Sequence, residues 1–174
     1  MYFLRLLELD DAAQLADYFR RNREFHRVWS PVLDDEFYTE THQRERLDIS
    51  LQLRSMEREY RFGVFYPERD GDLLIGVINL VNIVRGAFLN GCFGYSMDNT
   101  YTGGGIMSTS LRDAVDFAFY GAQLHRVEAN IIPRNTASRR VLEKAGFRKV
   151  GFSPKMLFIN GVWEDHEMYA ITVE

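Results

Sequence analysis

At 174 residues, 46% of them hydrophobic and 26% charged, the chain has enough apolar material for one sizeable core, so a single globular domain over 1–174 is expected and intrinsic disorder is excluded. Its 21 Lys and Arg against 25 Asp and Glu leave a formal net charge of −4, which argues against a surface that grips nucleic acid throughout. The one cysteine, Cys92, excludes an intrachain disulfide and a thiolate metal cluster and suits a reducing cytoplasm, and no stretch is apolar for long enough to read as a signal peptide or a membrane span.

Taken in chain order, Tyr2 to Leu9 reads as a first strand. Asp10 or Asp11 can cap a helix in which Ala12, Leu15, Tyr18 and Phe19 keep helical spacing. The charged run RRNREFHRVWSP reads as the lead into a loop that Pro31 keeps from becoming helix. A second helix is expected from about Thr41 to Glu59, with Ile49, Leu53, Met56 and Tyr60 on its inward stripe. Three strand-like runs follow, YRFGVFY, LLIGVINLVNIV and AFLNGCFGYSMD, the first two joined by a hairpin turn at Asp70-Gly71. Gly103, Gly104 and Gly105 then open a helix in which Leu111, Val115, Ala118 and Phe119 face inward, ending near Gly121. HRVEANII is a further strand. Asn135 caps a short helix that Gly146 stops, and a long hairpin turned by Asn160-Gly161 closes the chain. The order β-α-α-β-β-β-α-β-α-β-β mixes hairpins with one β-α-β crossover, so the expected class is α+β with a mixed, mostly antiparallel sheet flanked by helices.

Three glycines at a strand-to-helix junction permit positive φ and a close approach to the backbone, and a helix start presents unpaired N–H groups to an anion. A flexible connector is the plain alternative. A P-loop is excluded, because Gly105 is followed by Ile106 and Met107 where Lys and Ser or Thr are needed. A dinucleotide fingerprint finds Ser108 at its third glycine and Glu128 at the ribose distance, but the three hairpin-like strands ahead of it argue against that fold.

The junction TGGGIM resembles the Gln/Arg-x-x-Gly-x-Gly/Ala pattern of the GNAT N-acyltransferases, with Thr102, Gly105 and Met107 at the three fixed places. The block PRNTASRRVLEKAGFRKVG is similar to the same superfamily. LADYFRRNREFHRVWSPVLDDEF, IGVINLVNIVRGAF, GYSMD and INGVWEDHEMYA resemble the RimJ type of ribosomal-protein-alanine N-acetyltransferase, over nearly the whole chain. Thr102 departs from the pattern by removing one long side-chain donor. The resemblance implies a GNAT fold and an acetyl-CoA cradle in which amides from Gly103, Gly104, Gly105, Ile106, Met107 and Ser108 meet the pyrophosphate, without metal. It also implies a backbone N–H of Met97 as oxyanion donor and a contact of Asn135 with the pantetheine arm, whose plain role is a helix cap.

By the same resemblance Ser138 matches the serine proposed to protonate the leaving thiolate in RimL-type enzymes, its plain role being a helix-surface residue. The tyrosine other GNAT proteins use falls on Leu142, and the RimL-type glutamate base falls on Leu157. Glu128 is a candidate base acting through a water oriented by Asn130; a solvated or ion-paired carboxylate is the competing reading. Trp29 is expected to wall the acceptor pocket or to be plain core, and Asp34, Asp35 and Glu36 to meet a basic acceptor. His26, His42, His125 and His166 lack metal-ligand spacing and read as surface or packing residues. Cys92 reads as core.

The implied activity is cytoplasmic acetyl transfer from acetyl-CoA to a protein α-amine, an N-terminal alanine of a ribosomal protein. The protein would act as monomer or homodimer, without membrane or direct nucleic-acid partners. The alternatives are a small-amine acceptor (polyamine or amino sugar) and a non-catalytic ribosome- or RNA-binding module, to which RRNR at 20–23 would suit.

Overall fold

The computed structural model describes residues 1–173 and forms one mixed sheet with helices on both faces. Its strands are β1 (Phe3–Leu6), β2 (Tyr60–Glu68), β3 (Gly71–Val84), β4 (Asn90–Met97), β5 (Arg126–Ile131), β6 (Arg148–Ile159) and β7 (Val162–Thr172). The helices are α1 (Ala12–Arg21), α2 (Arg23–His26), α3 (Glu40–Ser55), α4 (Ile106–Asp116) and α5 (Thr136–Lys144). Strand order is β1-β2-β3-β4-β5-β7-β6, and only β4 and β5 are parallel, joined by the crossover through α4. The expected α+β class is therefore what the chain adopts. No helix among the described residues is long and apolar enough to cross a membrane.

Strand registry sorts the side chains. Phe93 and Tyr95 of β4 stand opposite Leu80 and Ile78, and Ala129 and Ile131 of β5 stand opposite Tyr169 and Glu167. With period-2 alternation these share one face. There they pack with Leu111, Ala114 and Val115 of α4 and Leu142 of α5 in the larger core. The other face carries Val77 opposite Ser96, Cys92 opposite Glu128, and Asn130 opposite Met168. Val77, Phe65 and Leu74 form a second core there with Leu15 and Tyr18 of α1 and Leu47 of α3.

The charged run that leads into the loop at Pro31 contains α2, because Asn22 leaves helical geometry at φ −104° and the chain resumes with His26 N–H donating to the Asn22 carbonyl. One expectation is corrected. The long helix is Glu40–Ser55, and its buried line is Gln43, Leu47 and Ser50. Ile49 and Met56 are 58% and 65% exposed, and Tyr60 belongs to β2. A buried glutamine is tolerated because its side-chain N–H donates to the Phe37 carbonyl. The helix ends early because Glu57 turns left-handed (φ 56°), with Arg58 N–H donating to Leu53 and Glu57 N–H to Arg54.

The feature that positions the site is a gap. Pairing of β4 with β5 ends at Phe93–Ala129, although β4 runs on to Met97 and β5 to Ile131. Met97 stands opposite Gly76, while Asp98 N–H donates to the Ile75 carbonyl at 2.8 Å. Met97 and Gly76 are therefore a non-hydrogen-bonded pair, and the Met97 N–H and C=O point away from β3, into the gap.

Candidate active site

A cavity of about 470 Å³ fills the gap. Its walls are the splayed strand ends, Gly94–Met97 and Asn130–Ile132, with the glycine turn and the start of α4 at one end. Gly103 (φ 84°) and Gly105 (φ 77°) both take left-handed backbone, which only glycine adopts at little cost. Gly105 is the N-cap of α4 and offers no side-chain cap, so the first-turn amides are left for a ligand. A Cβ added at Gly103 or Gly105 would meet no protein atom within 4 Å, so the space above the turn is open. Arg140 and Lys144 of α5 add positive charge to the lining, and nothing in their spacing marked them out. The donor set fits a diphosphate.

On the α4–α5 side, Asn135 caps α5 by accepting from Ser138 N–H at 3.1 Å, the plain role, and also lines the cavity. Ser138 Oγ lies 2.7 Å from the Tyr95 hydroxyl, which also donates to the Ser138 carbonyl. Burial pushes the Tyr95 phenol well above its ordinary pKa, so it keeps its proton and holds the serine by neutral hydrogen bonds. Tyr95 lies in the GYSMD motif, and its alternation with Phe93 and Met97 is the signal that places it.

On the opposite face stand Phe25, His26, Trp29, Ser30 and His166. His26 Nε2 donates to the Met97 carbonyl at 2.8 Å and so orients the strand end; burial pulls its pKa below the ordinary value. Trp29 lies under the Arg134 guanidinium, 5.6 Å from ring centroid to charge, and Arg134 forms a two-pronged pair with Glu164 at 2.6 and 2.7 Å. The Asn160 side chain donates to the Arg27 carbonyl, tying the β6–β7 tip to the segment after α2. A smaller cavity of about 150 Å³ shares His26, Ser30 and Ser96 with the first and opens on the α1–α2 side.

The structure thus brings together Trp29, Met97, Thr102, Gly103, Gly105, Ile106, Met107, Ser108, Asn130, Asn135 and Ser138, with Gly104 in the same turn but outside the lining. It does not bring Glu128 there: its carboxylate accepts from Arg126 Nε at 2.9 Å, the ion-paired alternative. Asp34, Asp35 and Glu36 line neither cavity. Asp34 caps Phe37 N–H, Asp35 pairs with Arg23, and the three sit between Leu33 and Phe37 at the rim of the smaller cavity. Cys92, its thiol pushed up to about 11 by burial and by Glu128, is no nucleophile. No group of three His, Cys, Asp or Glu among the described residues is placed to hold a metal.

A family model for the acetyltransferase (GNAT) domain matches residues 2–148. Probable N-acetyltransferase YjcK of Bacillus subtilis is 42% identical over 169 residues, spanning 97% of this chain and 92% of its own. Among solved structures, ribosomal-protein-S5-alanine acetyltransferase from Vibrio fischeri superposes with a TM-score of 0.93 at 36% identity, over 98% of this chain and 92% of its own. RimJ of Mycobacterium smegmatis, in complex with CoA-disulfide, superposes with a TM-score of 0.90 at 30% identity, over 99% of this chain and 82% of its own.

Proposed function

The chain belongs to the GNAT acetyltransferase family and is an N-acetyltransferase, and on that premise we propose that it carries acetyl from acetyl-CoA to the α-amine of a protein N-terminus, an N-terminal alanine of a ribosomal protein. The observation that carries the reading is the gap between β4 and β5, open to both faces of the sheet and lined at one end by uncapped helix amides. The likeness to the Vibrio fischeri enzyme that acts on a ribosomal-protein alanine supports the acceptor. The whole chain acts as one domain, in the cytoplasm, as a monomer or homodimer.

In this reading the amides of the Gly103–Ser108 turn and the dipole of α4 hold the pyrophosphate, with Arg140 and Lys144 adding charge. Asn135 meets the pantetheine arm. The thioester carbonyl lies against the Met97 N–H, whose direction is set by the β3 pairing and by His26 on the carbonyl of the same residue. Trp29 walls the acceptor side, where Asn130 faces the incoming amine and the rim carboxylates of Asp34, Asp35 and Glu36 attract a basic segment. Ser138 stands on the other face, where it donates to the leaving thiolate; Tyr95 positions it.

The test is thiol release from acetyl-CoA with an Ala-starting basic peptide, against spermidine and amino sugars as competing acceptors. Ser138→Ala is expected to lower peptide turnover by about 10²-fold, the scale of general acid catalysis, with CoA affinity nearly intact. Wild-type turnover in that variant returns Ser138 to a helix-surface residue. Release with spermidine alone replaces the acceptor.

A further inference from the structure

Acetylation of an amine requires removal of a proton from the attacking nitrogen, and Glu128 is paired with Arg126 and lies outside the cavity lining. His26 is unsuited, since its Nε2–H is committed to the Met97 carbonyl and burial disfavours its cation. His166 differs. It is 3% exposed, lines the cavity, and sits two residues before Met168, which stands opposite Asn130. Period-2 alternation places His166 and Asn130 on one face of the sheet, the face of α1 and α3, while Tyr95 and Ser138 occupy the other.

Its tautomer is set by its neighbour. Nδ1 lies 3.1 Å from the Glu164 carbonyl, which only accepts, so Nδ1 carries the proton and Nε2 carries the lone pair. On the same face, Asn130 Oδ1 is buried with no hydrogen-bond partner among the described residues, the cost of which a ligand N–H would relieve. Diagonal positions on adjacent antiparallel strands lie roughly 7–8 Å apart, a span that a primary amine bridges between two side chains.

We propose that His166 is the general base of acetyl transfer, accepting a proton from the acceptor amine at Nε2 while Asn130 Oδ1 accepts a second N–H and aims the nitrogen at the carbonyl. The inference rests on the amine-acetylation reading above. The neutral amine forms the C–N bond to the thioester carbon and gives one proton to His166; the C–S bond breaks, and the thiolate takes one proton from the Ser138 side. Solvent removes the proton from His166 and restores that of Ser138, so amine plus thioester yields amide plus thiol. Base and acid thus work from opposite faces, with the reacting carbon in the gap between the strands.

Two variants test this with the full-length protein. His166→Asn keeps a side-chain N–H at the place of Nδ1, for the Glu164 carbonyl, and lacks the Nε2 lone pair. It is expected to fold with a thermal midpoint near the wild type, to bind CoA normally and to lose about 10²–10⁴-fold in kcat. His166→Gly opens space for exogenous imidazole, which is expected to restore turnover at least tenfold in this variant and to do nothing for wild type. A folded His166→Asn protein with wild-type kcat, or a His166→Gly protein that imidazole does not rescue, overturns the assignment. Wild-type enzyme is assayed first with peptide and with spermidine: failure on peptide sinks the α-amine reading alone, and the His166 variants are then read on the amine that is accepted.

Discussion

Gly105→Asn and Gly105→Val are both expected to remain folded and to bind CoA at least about a hundredfold more weakly. An added Cβ meets no protein atom within 4 Å, so the only cost to the fold is added backbone strain at φ 77°, roughly 1–2 kcal/mol for a non-glycine residue and least for asparagine. The ligand loses more. A side chain above the turn displaces the anion from the first-turn amides of α4, which no side chain caps. Hydrogen bonds to a charged group contribute about 1.5–3 kcal/mol each, so loss of two accounts for a hundredfold or more. Asparagine separates the causes, because it tolerates left-handed backbone yet still occupies the space. Calorimetry that finds wild-type CoA affinity in folded Gly105→Asn removes the cradle.

Asp98→Ala is expected to cost about 2–3 kcal/mol of stability and to lower Tm by roughly 5–10 °C. The carboxylate is 4% exposed and accepts from Arg21 Nε at 2.7 Å, Asn22 Nδ2 at 3.0 Å and Thr100 N–H at 2.9 Å, tying the end of α1 to the end of β4. Burial alone would raise its pKa, but the Asn22, Arg21 and Thr100 donors outweigh burial and hold it below the ordinary carboxylate value. In the unfolded chain it takes up a proton near pH 3.9. The folded protein binds fewer protons there, so this contribution is complete above about pH 4 and disappears as pH falls through the lower folded value. The acid limb of the stability curve should therefore flatten in Asp98→Ala. Because Asp98 follows Met97, the proposed oxyanion donor, turnover should fall even at temperatures where the variant is folded. An unchanged Tm and acid limb would reduce Asp98 to a bystander.

Much of this was legible in residue order. Asn160-Gly161 takes φ 50° and 81°, the two-residue turn its sequence signals, and the triple glycine lies where strand gives way to helix. What misled was the helix Glu40–Ser55: Ile49 and Met56 look like an inward stripe, yet packing against α1 chose Gln43, Leu47 and Ser50, because Gln43 finds the Phe37 carbonyl. The attraction of Asp35 to Arg23 joins two different elements and is not displayed by the order of residues, whereas Glu128 and Arg126 are two apart on β5, a same-face spacing that the sequence does display. His166 was hidden for a related reason. Its alternation along β7 is visible, but the side of the sheet it faces depends on the register of β7 against β5, which only the folded pairing supplies.

The most direct measurement locates the acetyl group by mass spectrometry on two copies of one basic, alanine-starting peptide with an internal lysine, one with a free α-amine and one blocked. An α-amine titrates near pH 7.7–8.0, whereas a lysine side chain titrates at roughly 10.4 and is almost fully protonated at neutral pH, so a site that draws on a single imidazole should act on the former. The expected result is one acetyl group on the N-terminal nitrogen of the free copy, with the blocked copy inert despite its lysine. Acetyl found on lysine, or on spermidine and on neither peptide, would contradict N-terminal α-amine acetylation.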